Sequence, residues 1–108
     1  HIVGDDVLEK VTEIVSKANR SADIFARYGG EEFIILAPET RLSGACIHAE
    51  RLRNDIEQYD FPIAGHVTSS FGVAEFDADT DDVESILERA DKALYMAKDF
   101  GRNRVEKA

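Results

Sequence analysis

The feature that most constrains how this chain can fold is a Gly-Gly pair between two short apolar runs. Residues 24–28 and 32–36 have the apolar and aromatic composition of strands. Gly29 and Gly30 predict the tight two-residue loop of a β-hairpin, because glycine tolerates the positive φ that such turns need. The lack of side chains there also lets a ligand approach the backbone closely.

Two carboxylates, Glu31 and Glu32, follow this turn directly. Because successive strand residues point to opposite faces, we expect the two side chains to have different roles. Mg²⁺ in proteins takes one or two carboxylates together with substrate phosphate oxygens, so the turn predicts a site for Mg²⁺ and phosphate. From the hairpin alone, the alternative that these acids are simply solvated stays open.

The composition is that of one soluble globular domain. The 108 residues are 44% hydrophobic and 32% charged, enough for one core and too few for two. No apolar run approaches the length of a membrane span. The net charge of −9 argues against a nucleic-acid backbone or an anionic membrane as the main partner. A nucleotide is not excluded, since a divalent cation and a few basic residues can hold phosphates on an acidic protein.

Cysteine and histidine give no sign of a nucleophile or a metal site. Cys46, the only cysteine, lies on the apolar side of a predicted helix, which favours a buried small hydrophobe. The three histidines, His1, His48 and His66, are scattered without metal-ligand spacing. We therefore treat none of these residues as a ligand.

Helices alternate with strands along the chain. Apolar periodicity predicts a first helix over about 6–19 with Asp5 at its start as a cap. It predicts a second helix capped by Thr40, with exposed charges that include Arg53, and a third helix from about residue 83 that Gly101 terminates. Further strands are predicted at about 66–76 and 103–105. This order indicates an α/β (α+β) architecture in which helices cover a sheet.

Two details of this pattern bear on packing and on metal binding. Within the predicted strand at 66–76, the small residues Thr68, Ser70, Gly72 and Ala74 fall on one side, which indicates that another element packs closely there. The acidic loop at 77–82 suggests calcium, but it lacks the glycine and the closing glutamate of an EF-hand. A solvated loop that caps the following helix is the preferred interpretation.

Five motifs occur in a fixed order over nearly the whole chain. Residues 1–5 are His-Ile-Val-Gly-Asp, residues 20–23 are Arg-Ser-Ala-Asp, and residues 27–33 are Arg-Tyr-Gly-Gly-Glu-Glu-Phe. Residues 67–74 are Val-Thr-Ser-Ser-Phe-Gly-Val-Ala, and the closing helix contains Ala-Asp-Lys-Ala-Leu-Tyr-Met-Ala-Lys followed by Gly101-Arg102-Asn103. Together the motifs resemble those of the GGDEF domain, the diguanylate cyclase family. One motif would be a weak indication, whereas the ordered set is highly specific.

The resemblance implies a nucleotidyl-cyclase-like palm fold, with a mostly antiparallel sheet flanked by helices and a central hairpin that carries the signature loop. It also implies the family reaction, in which two GTP molecules are condensed into cyclic di-GMP with release of pyrophosphate. Each domain holds one GTP, and two domains meet face to face as a homodimer. Mg²⁺ or Mn²⁺ neutralises the attacked phosphate and activates the 3′-hydroxyl.

The same resemblance assigns roles at the active site. Glu31 and Glu32 are the implied catalytic and metal-binding residues, with Glu31 as activator of the hydroxyl. The implied GTP-binding residues are Gly29 and Gly30 beneath the phosphates, Asp5 on the guanine edge, and Lys98 and Arg102 on the β- and γ-phosphates. Since Lys98 and Arg102 are four apart near a helix end, we expect them to share a face. The simpler role of cations at a helix C-terminus is compatible with this.

A second site is implied for the product. Arg20 and Asp23 match the family's inhibitory Arg-x-x-Asp motif, in which Arg can grip guanine or phosphate and Asp can accept from the guanine edge. A local ion pair is the simpler alternative. Arg51 matches a secondary inhibitory position, which a neighbouring domain supplies in the family. The implied function is a product-inhibited diguanylate cyclase.

The chain departs from the family pattern at its start. The family domain begins earlier, with a strand that brings an Asp metal ligand, then a Phe-Lys element and an Asn-Asp pair, whereas His1 here is the motif histidine. We therefore expect residues 1–108 to be a single, partial domain truncated at its N-terminus. By itself it should have weak or no cyclase activity, and its uncovered strand edges should favour assembly between chains.

Two alternative functions remain. One is a non-catalytic GGDEF-like module that binds cyclic di-GMP through Arg20 and Asp23, and the other is a structural or dimerisation domain. The intact acid pair favours the enzyme, because a module without catalysis has no physical need for it. By resemblance, the domain works in the bacterial cytoplasm, downstream of a sensor or receiver domain, in a parent protein that can be membrane-anchored. No nucleic-acid partner and no membrane insertion of this segment are expected.

Overall fold

The computed structural model describes residues 2–29 and 32–108, which form three helices and two strand pairs. The elements are α1 (Ile2–Ala18), β1 (Ile24–Gly29), β2 (Glu32–Leu36), α2 (Leu42–Gln58), β3 (Phe71–Val73), α3 (Val83–Asp99) and β4 (Val105–Lys107). β1 pairs with β2 antiparallel, and β3 pairs with β4 in parallel. The predicted α+β class is confirmed, while the parallel pair was not foreseen.

The hairpin lies where the sequence predicts it, but its tip differs in register. The strands pair regularly as far as Arg27, and a bulge at Tyr28 then brings Gly29 opposite Glu32. Gly29 therefore belongs to β1, whereas Gly30 and Glu31 lie outside the described residues. The prediction that Gly29 lies in the loop is wrong, because the bulge takes up an extra residue on β1.

The helix ends show where side chains cap the backbone. α1 begins at Ile2, so Asp5 lies in its first turn and is not its cap as predicted. The predicted capping of α3 is confirmed, since Asp82 accepts from the Ser85 N–H (2.8 Å) and Ser85 Oγ accepts from the Asp82 N–H (3.0 Å). Gly101 terminates α3 as predicted, at a φ of 119°.

The start of α2 differs from the prediction. Its N-cap is Arg41, whose side chain makes no capping hydrogen bond. The Thr40 hydroxyl donates instead to the Pro38 carbonyl oxygen at 3.1 Å, so it is turned away from the helix. The N–H of Leu42 donates to Glu75 Oε1 at 2.8 Å. A side chain from beyond β3 therefore caps α2.

The core is formed mainly by α2, α3 and the aromatic residue that follows α2. The buried apolar residues in the described part of the chain are Val15, Ala49, Leu52, Ile56, Phe61, Ala93 and Ala97. Burial of a side chain such as Leu52 or Ile56 contributes about 1.5–3 kcal/mol. Cys46 is half-buried on α2, and not buried as predicted.

Close packing of α3 on β3 confirms the prediction from the small-residue side of that strand. A β-carbon built on Gly72 would lie 2.2 Å from the Ala90 carbonyl oxygen and 2.3 Å from the Leu94 nitrogen. Real β-carbons do not approach backbone atoms so closely, so only glycine fits here. The contact fixes α3, and with it the residues at its C-terminal end, relative to β3.

The second strand pair is shorter than predicted. Of the strand expected at 66–76, only β3 is paired, because its partner β4 offers only three residues. β4 begins at Val105 and not at 103, since Asn103 has a left-handed φ of 49°. None of the helices in the described residues combines the length and apolarity that crossing a bilayer requires.

Candidate active site

The last turn of α3 lies beside the tip of the hairpin. Lys98 Nζ is 3.6 Å from Glu32 Oε2, which joins two predicted site residues that are distant in the sequence. Their side chains are 39% and 44% exposed. A half-exposed ion pair of this kind stabilises the fold by at most about 1 kcal/mol. Each group can therefore exchange its partner for a ligand, the ammonium for a phosphate and the carboxylate for a cation.

Gly29 leaves open space at this tip. A β-carbon built there would meet nothing within 4 Å, and the residue does not have a positive φ. Neither packing nor backbone conformation therefore requires glycine at this position. The structural consequence of the missing side chain is open space in which a ligand can lie. Gly30 and Glu31, predicted to complete the site, lie outside the described residues, and their roles stay predictions.

Arg102 does not share a helix face with Lys98, contrary to the expectation from their spacing. α3 ends at Asp99, and Gly101 and Arg102, with φ of 119° and 61°, turn the chain away. The Arg102 N–H donates to the Ala97 carbonyl oxygen at 2.9 Å, the bond of a Schellman cap. The Arg102 guanidinium is exposed and has no hydrogen-bond or ion-pair partner among the residues that the structure describes.

A cavity of about 350 Å³ lies between α1 and the hairpin. It is lined by Asp5, Leu8, Glu9 and Thr12 from α1 and by Phe25, Arg27 and Phe33 from the hairpin. The rings of Phe25 and Phe33 lie 5.0 Å apart. The volume of the cavity is within the range of small-molecule binding sites. Aromatic walls beside the Asp5 carboxylate suit a planar base that carries N–H donors.

The site contains part of a magnesium donor set. Glu32 is the predicted carboxylate ligand that the structure describes, and Glu31 lies outside it. One or two carboxylates plus phosphate oxygens are the usual ligands of Mg²⁺, so the chemistry of this residue set fits the ion. Within residues 2–29 and 32–108, no group of three His, Cys, Asp or Glu side chains is arranged to hold a metal without a substrate.

Arg20 and Asp23 form an ion pair between α1 and β1. Asp23 Oδ2 accepts from the Arg20 N–H (2.9 Å), and Oδ1 accepts from Arg20 Nη2 (3.1 Å). The Asp23 side chain is 0% exposed, whereas that of Arg20 is 57% exposed. Burial opposes ionisation of Asp23, but the hydrogen bonds from Arg20 outweigh it and hold the pKa of the carboxyl below its usual range.

The Arg20 guanidinium has two further partners. Nη2 donates to Thr40 Oγ1 and to the Pro38 carbonyl oxygen, the latter at 3.3 Å. These contacts fix the direction of the side chain while more than half of its surface stays exposed. The local ion pair that the sequence left open as an alternative is therefore present. Arg51 lies apart on α2, where it is exposed and its side chain has no hydrogen bond or ion pair to another described residue.

Sequence reasoning missed the role of Arg53. Its side chain is 14% exposed and lies within a hydrogen-bonded network, not among solvated charges. It donates to Glu50 Oε2 (2.6 Å), to Glu57 Oε1 (2.9 Å) and to Asn103 Oδ1 (2.8 Å). Glu50 and Glu57 stand at helical spacing from Arg53, which could have indicated two of the partners. Nothing in the sequence indicated Asn103.

The acidic loop before α3 uses its carboxylates as structural acceptors. Arg89 donates to Asp81, with Nε 3.3 Å from Oδ1, and to the Glu75 carbonyl oxygen at 2.8 Å. The hydrogen bond from Arg89, with a further one from the Asp77 N–H, lowers the pKa of Asp81 to about 2. Together with the Asp82 cap, these bonds order the loop at the start of α3.

These features define a small α+β domain with a candidate nucleotide site at the hairpin tip. A family model described as diguanylate cyclase, GGDEF domain, matches residues 1–104. Diguanylate cyclase A of Treponema denticola is 47% identical over 108 residues, which cover 97% of this chain and 29% of the relative. Response regulator PleD of Caulobacter vibrioides is 38% identical over 110 residues, which cover 97% of this chain and 24% of the relative.

The chain also matches solved structures closely. The active GGEEF domain of a diguanylate cyclase from Vibrio cholerae has a TM-score of 0.93 and 32% identity, covering 99% of this chain and 69% of that one. The GGDEF domain of DgcB from Caulobacter crescentus, in complex with c-di-GMP, has a TM-score of 0.92 and 33% identity, covering 99% and 66%. The chain belongs to the GGDEF domain family of diguanylate cyclases. It spans less than a third of the length of the two curated relatives.

Proposed function

We propose that this chain is the catalytic domain of a diguanylate cyclase, which condenses two GTP molecules into cyclic di-GMP and pyrophosphate. The observation that carries the proposal is the Glu32–Lys98 pair beside the open backbone of Gly29, with 3.6 Å between Nζ and Oε2. It places a group that can bind a metal and a group that can bind phosphate at one point. Relatives that are named diguanylate cyclases, such as that of Treponema denticola, support the same activity.

Three parts of the fold bind one GTP in this proposal. The cavity at α1 takes the guanine, whose N–H groups donate to Asp5. Lys98 and Arg102 bind the β- and γ-phosphates, for which Lys98 gives up Glu32. Gly29 and Gly30 allow the phosphates to lie against the turn. Each domain thus holds one nucleotide, so two copies must face each other for the reaction.

Mg²⁺ or Mn²⁺, held by Glu31, Glu32 and phosphate oxygens, would polarise the α-phosphate and lower the pKa of the attacking hydroxyl. The 3′-oxygen of one GTP forms a bond to the α-phosphorus of the other. The bond from that phosphorus to its bridging oxygen breaks, and pyrophosphate leaves. Glu31 accepts the proton of the 3′-hydroxyl. Lys98 and Arg102 stabilise the charge that develops on the leaving group.

The proposal includes inhibition by the product at Arg20 and Asp23, with Arg51 as a secondary contributor. The Arg20 guanidinium is more than half exposed, as recognition of a guanine edge or a phosphate requires, and the buried, ionised Asp23 carboxylate fixes its direction. The solved complex of the DgcB domain with c-di-GMP supports binding of this ligand in the family.

The same ion pair favours the alternative function, a module that binds cyclic di-GMP without catalysis. The acid pair of the hairpin favours the enzyme. Replacing Arg20 separates the two, because it should relieve inhibition in an enzyme and abolish ligand binding in a module.

The setting of the domain is also proposed. We place it in the cytoplasm, where GTP is available, under the control of a sensor or receiver domain in the parent protein. Such control is supported in relatives by the response regulator PleD and by the solved complex of the Pseudomonas aeruginosa diguanylate cyclase SiaD with its activator SiaC. We also propose that residues 1–108 belong to a single domain.

The test is to incubate the parent protein that contains this domain with GTP and Mg²⁺ and to detect cyclic di-GMP by mass spectrometry. We expect product from the wild type, and none from Glu31→Ala or Glu32→Ala. Glu88→Ala, which removes an exposed acid on α3, is the matched control and should retain activity. Product that persists in both hairpin variants would exclude the metal site. No product from the wild type, together with bound cyclic di-GMP, would favour the binding module.

A further inference from the structure

The turn after α3 has a backbone conformation that its residues rarely adopt by themselves. Gly101, Arg102 and Asn103 have consecutive positive φ values of 119°, 61° and 49°. Glycine accepts such values without strain, asparagine accepts them at some cost, and arginine does so less readily. A backbone of this kind persists only where its surroundings over-determine it.

Two side chains of α2 supply that constraint through Asn103. Arg53 Nη1 donates to Asn103 Oδ1 at 2.8 Å, and Asn103 Nδ2 donates to Glu57 Oε2 at 2.7 Å. Arg53 Nη1 also donates to Glu57 Oε1 at 2.9 Å, so the three side chains are joined in a closed ring. The Asn103 N–H donates to Ser70 Oγ at 3.2 Å, which fixes the backbone from the side of β3.

The Arg53 guanidinium is also bound by Glu50, on the side away from Asn103. Its Nε donates to both oxygens of Glu50, at 2.9 and 3.0 Å. Its hydrogen bonds to the Glu50 and Glu57 carboxylates raise the pKa of Arg53 above its usual value. The hydrogen bond from Asn103, followed by that from Arg53, lowers the pKa of Glu57. The ring therefore keeps its charges, and its hydrogen bonds, over the physiological pH range.

Arg102 stands between these fixed points. Its N–H is bound to the Ala97 carbonyl oxygen and the next residue is held by the ring, while its own guanidinium extends without a partner in the described chain. We propose that Arg53, Glu57 and Asn103 are positioning residues that aim the Arg102 guanidinium at the terminal phosphates of the nucleotide. This inference rests on the proposed function, in which Arg102 binds the β- and γ-phosphates.

The test compares binding of GTP and GMP to the full chain with Mg²⁺ by calorimetry, because GMP lacks both phosphates that Arg102 contacts. Asn103→Gly is the main variant, since glycine keeps the left-handed backbone while the side-chain hydrogen bonds are lost. We expect its affinity for GTP to fall about 10-fold and its affinity for GMP to stay unchanged. Arg102→Ala should cause a similar fall, and the double variant should lose no more than either alone.

Arg104→Ala is the matched control. Arg104 lies two residues further on but pairs with Glu106 at 2.8 Å, outside the ring. Its removal should leave the ratio of GTP to GMP affinity unchanged. If circular dichroism shows that Asn103→Gly is unfolded, the same GTP and GMP measurements are made on Glu57→Gln, which keeps the side-chain volume. The same fall in the ratio of GTP to GMP affinity is expected.

Two results would overturn the inference while the proposed function stands. One is an unchanged GTP-to-GMP ratio in the ring variant, and the other is additive loss in the double variant. A wild-type protein that shows no preference for GTP over GMP would instead contradict the proposed function itself, before any variant is compared.

Discussion

Glu75 Oε1 accepts a hydrogen bond from the backbone N–H of Leu42 at 2.8 Å, although 33 residues separate the two in the sequence. The first turn of α2 has no acidic residue, and its N-cap, Arg41, provides no acceptor. Glu75 therefore supplies both a hydrogen-bond acceptor and a negative charge at the positive end of the helix dipole. The contact links the segment after β3 to the start of α2.

Loss of this cap should destabilise the protein measurably. Glu75→Ala should lower the free energy of unfolding by about 1 kcal/mol, as removal of a helix cap does. Glu75→Gln keeps the acceptor and loses only the charge, so its effect should be a few tenths of a kcal/mol. Urea denaturation measures both. Equal losses in the two variants would show that charge, and not the hydrogen bond, is what matters.

Gly72 should tolerate no side chain. A methyl group there would lie 2.2 Å from the Ala90 carbonyl oxygen, and the backbone of a packed helix cannot move aside locally. We expect Gly72→Ala to reduce the free energy of unfolding by about 3 kcal/mol or more. Gly29→Ala, in open space, should change it by less than about 0.5 kcal/mol. A neutral Gly72→Ala in denaturant titrations would contradict the close packing of α3 on β3.

Gly29→Ala should instead affect activity. In the proposed function the added methyl group occupies the space beside the phosphates, so KM for GTP should rise about 10-fold while the thermal midpoint stays the same. Gly44→Ala is the matched control, because its β-carbon would have an ordinary contact of 3.6 Å with Thr40 Cγ2 on the surface of α2. If Gly29→Ala left the KM for GTP unchanged, the proposal that the phosphates lie beside Gly29 would be contradicted.

The pairing of Asp81 with Arg89 predicts a dependence of stability on acid. The folded pKa of Asp81 is about 2, below its ordinary value of 3.8. A carboxyl whose pKa is lowered by folding stabilises the fold above its unfolded pKa, and this contribution is lost as the pH falls from about 4 to about 2. Asp81→Asn should therefore show a smaller acid-induced loss of stability over that interval.

The measurement is urea unfolding of both proteins at a series of pH values. Asp23, whose pKa is lowered as well, should leave some acid dependence in the variant. Identical slopes in wild type and variant would show that the Asp81 pair does not titrate with folding.

Arg20→Ala tests the proposed inhibitory site. The variant loses the group that would grip the product, so turnover should continue at cyclic di-GMP concentrations that stop the wild type. Progress curves with added cyclic di-GMP measure this effect, and Arg104→Ala should remain inhibited. Inhibition that is unchanged in Arg20→Ala would place the product elsewhere.

Local features of the fold could be predicted from the sequence. The hairpin, the three helices, the capping of α3 by the acidic loop and the close contact at Gly72 follow from periodicity, capping residues and side-chain size. The register of the hairpin tip could not be predicted, because no residue pattern around Tyr28 indicates a bulge. The spacing of Lys98 and Arg102 suggested a shared face, but the helix ends between them and Gly101 redirects the chain.

Contacts between segments that are distant in the sequence could not be predicted either. The Glu75 cap and the Asn103 bond to Arg53 each join residues more than thirty positions apart. Charges on the surface of a helix look alike in a sequence whether they are solvated or paired. At the candidate site, the residue types could be named from the motifs, whereas the Glu32–Lys98 ion pair required the fold.

That ion pair has a consequence for the order in which ligands bind. A metal ion alone would take Glu32 and leave the Lys98 ammonium without its counter-charge. A nucleotide alone would take Lys98 and leave Glu32 facing additional negative phosphates. Only joint arrival gives both side chains new partners, so each ligand should strengthen binding of the other by the same factor. The domain should therefore recognise the metal–nucleotide complex as one unit and hold either component only weakly.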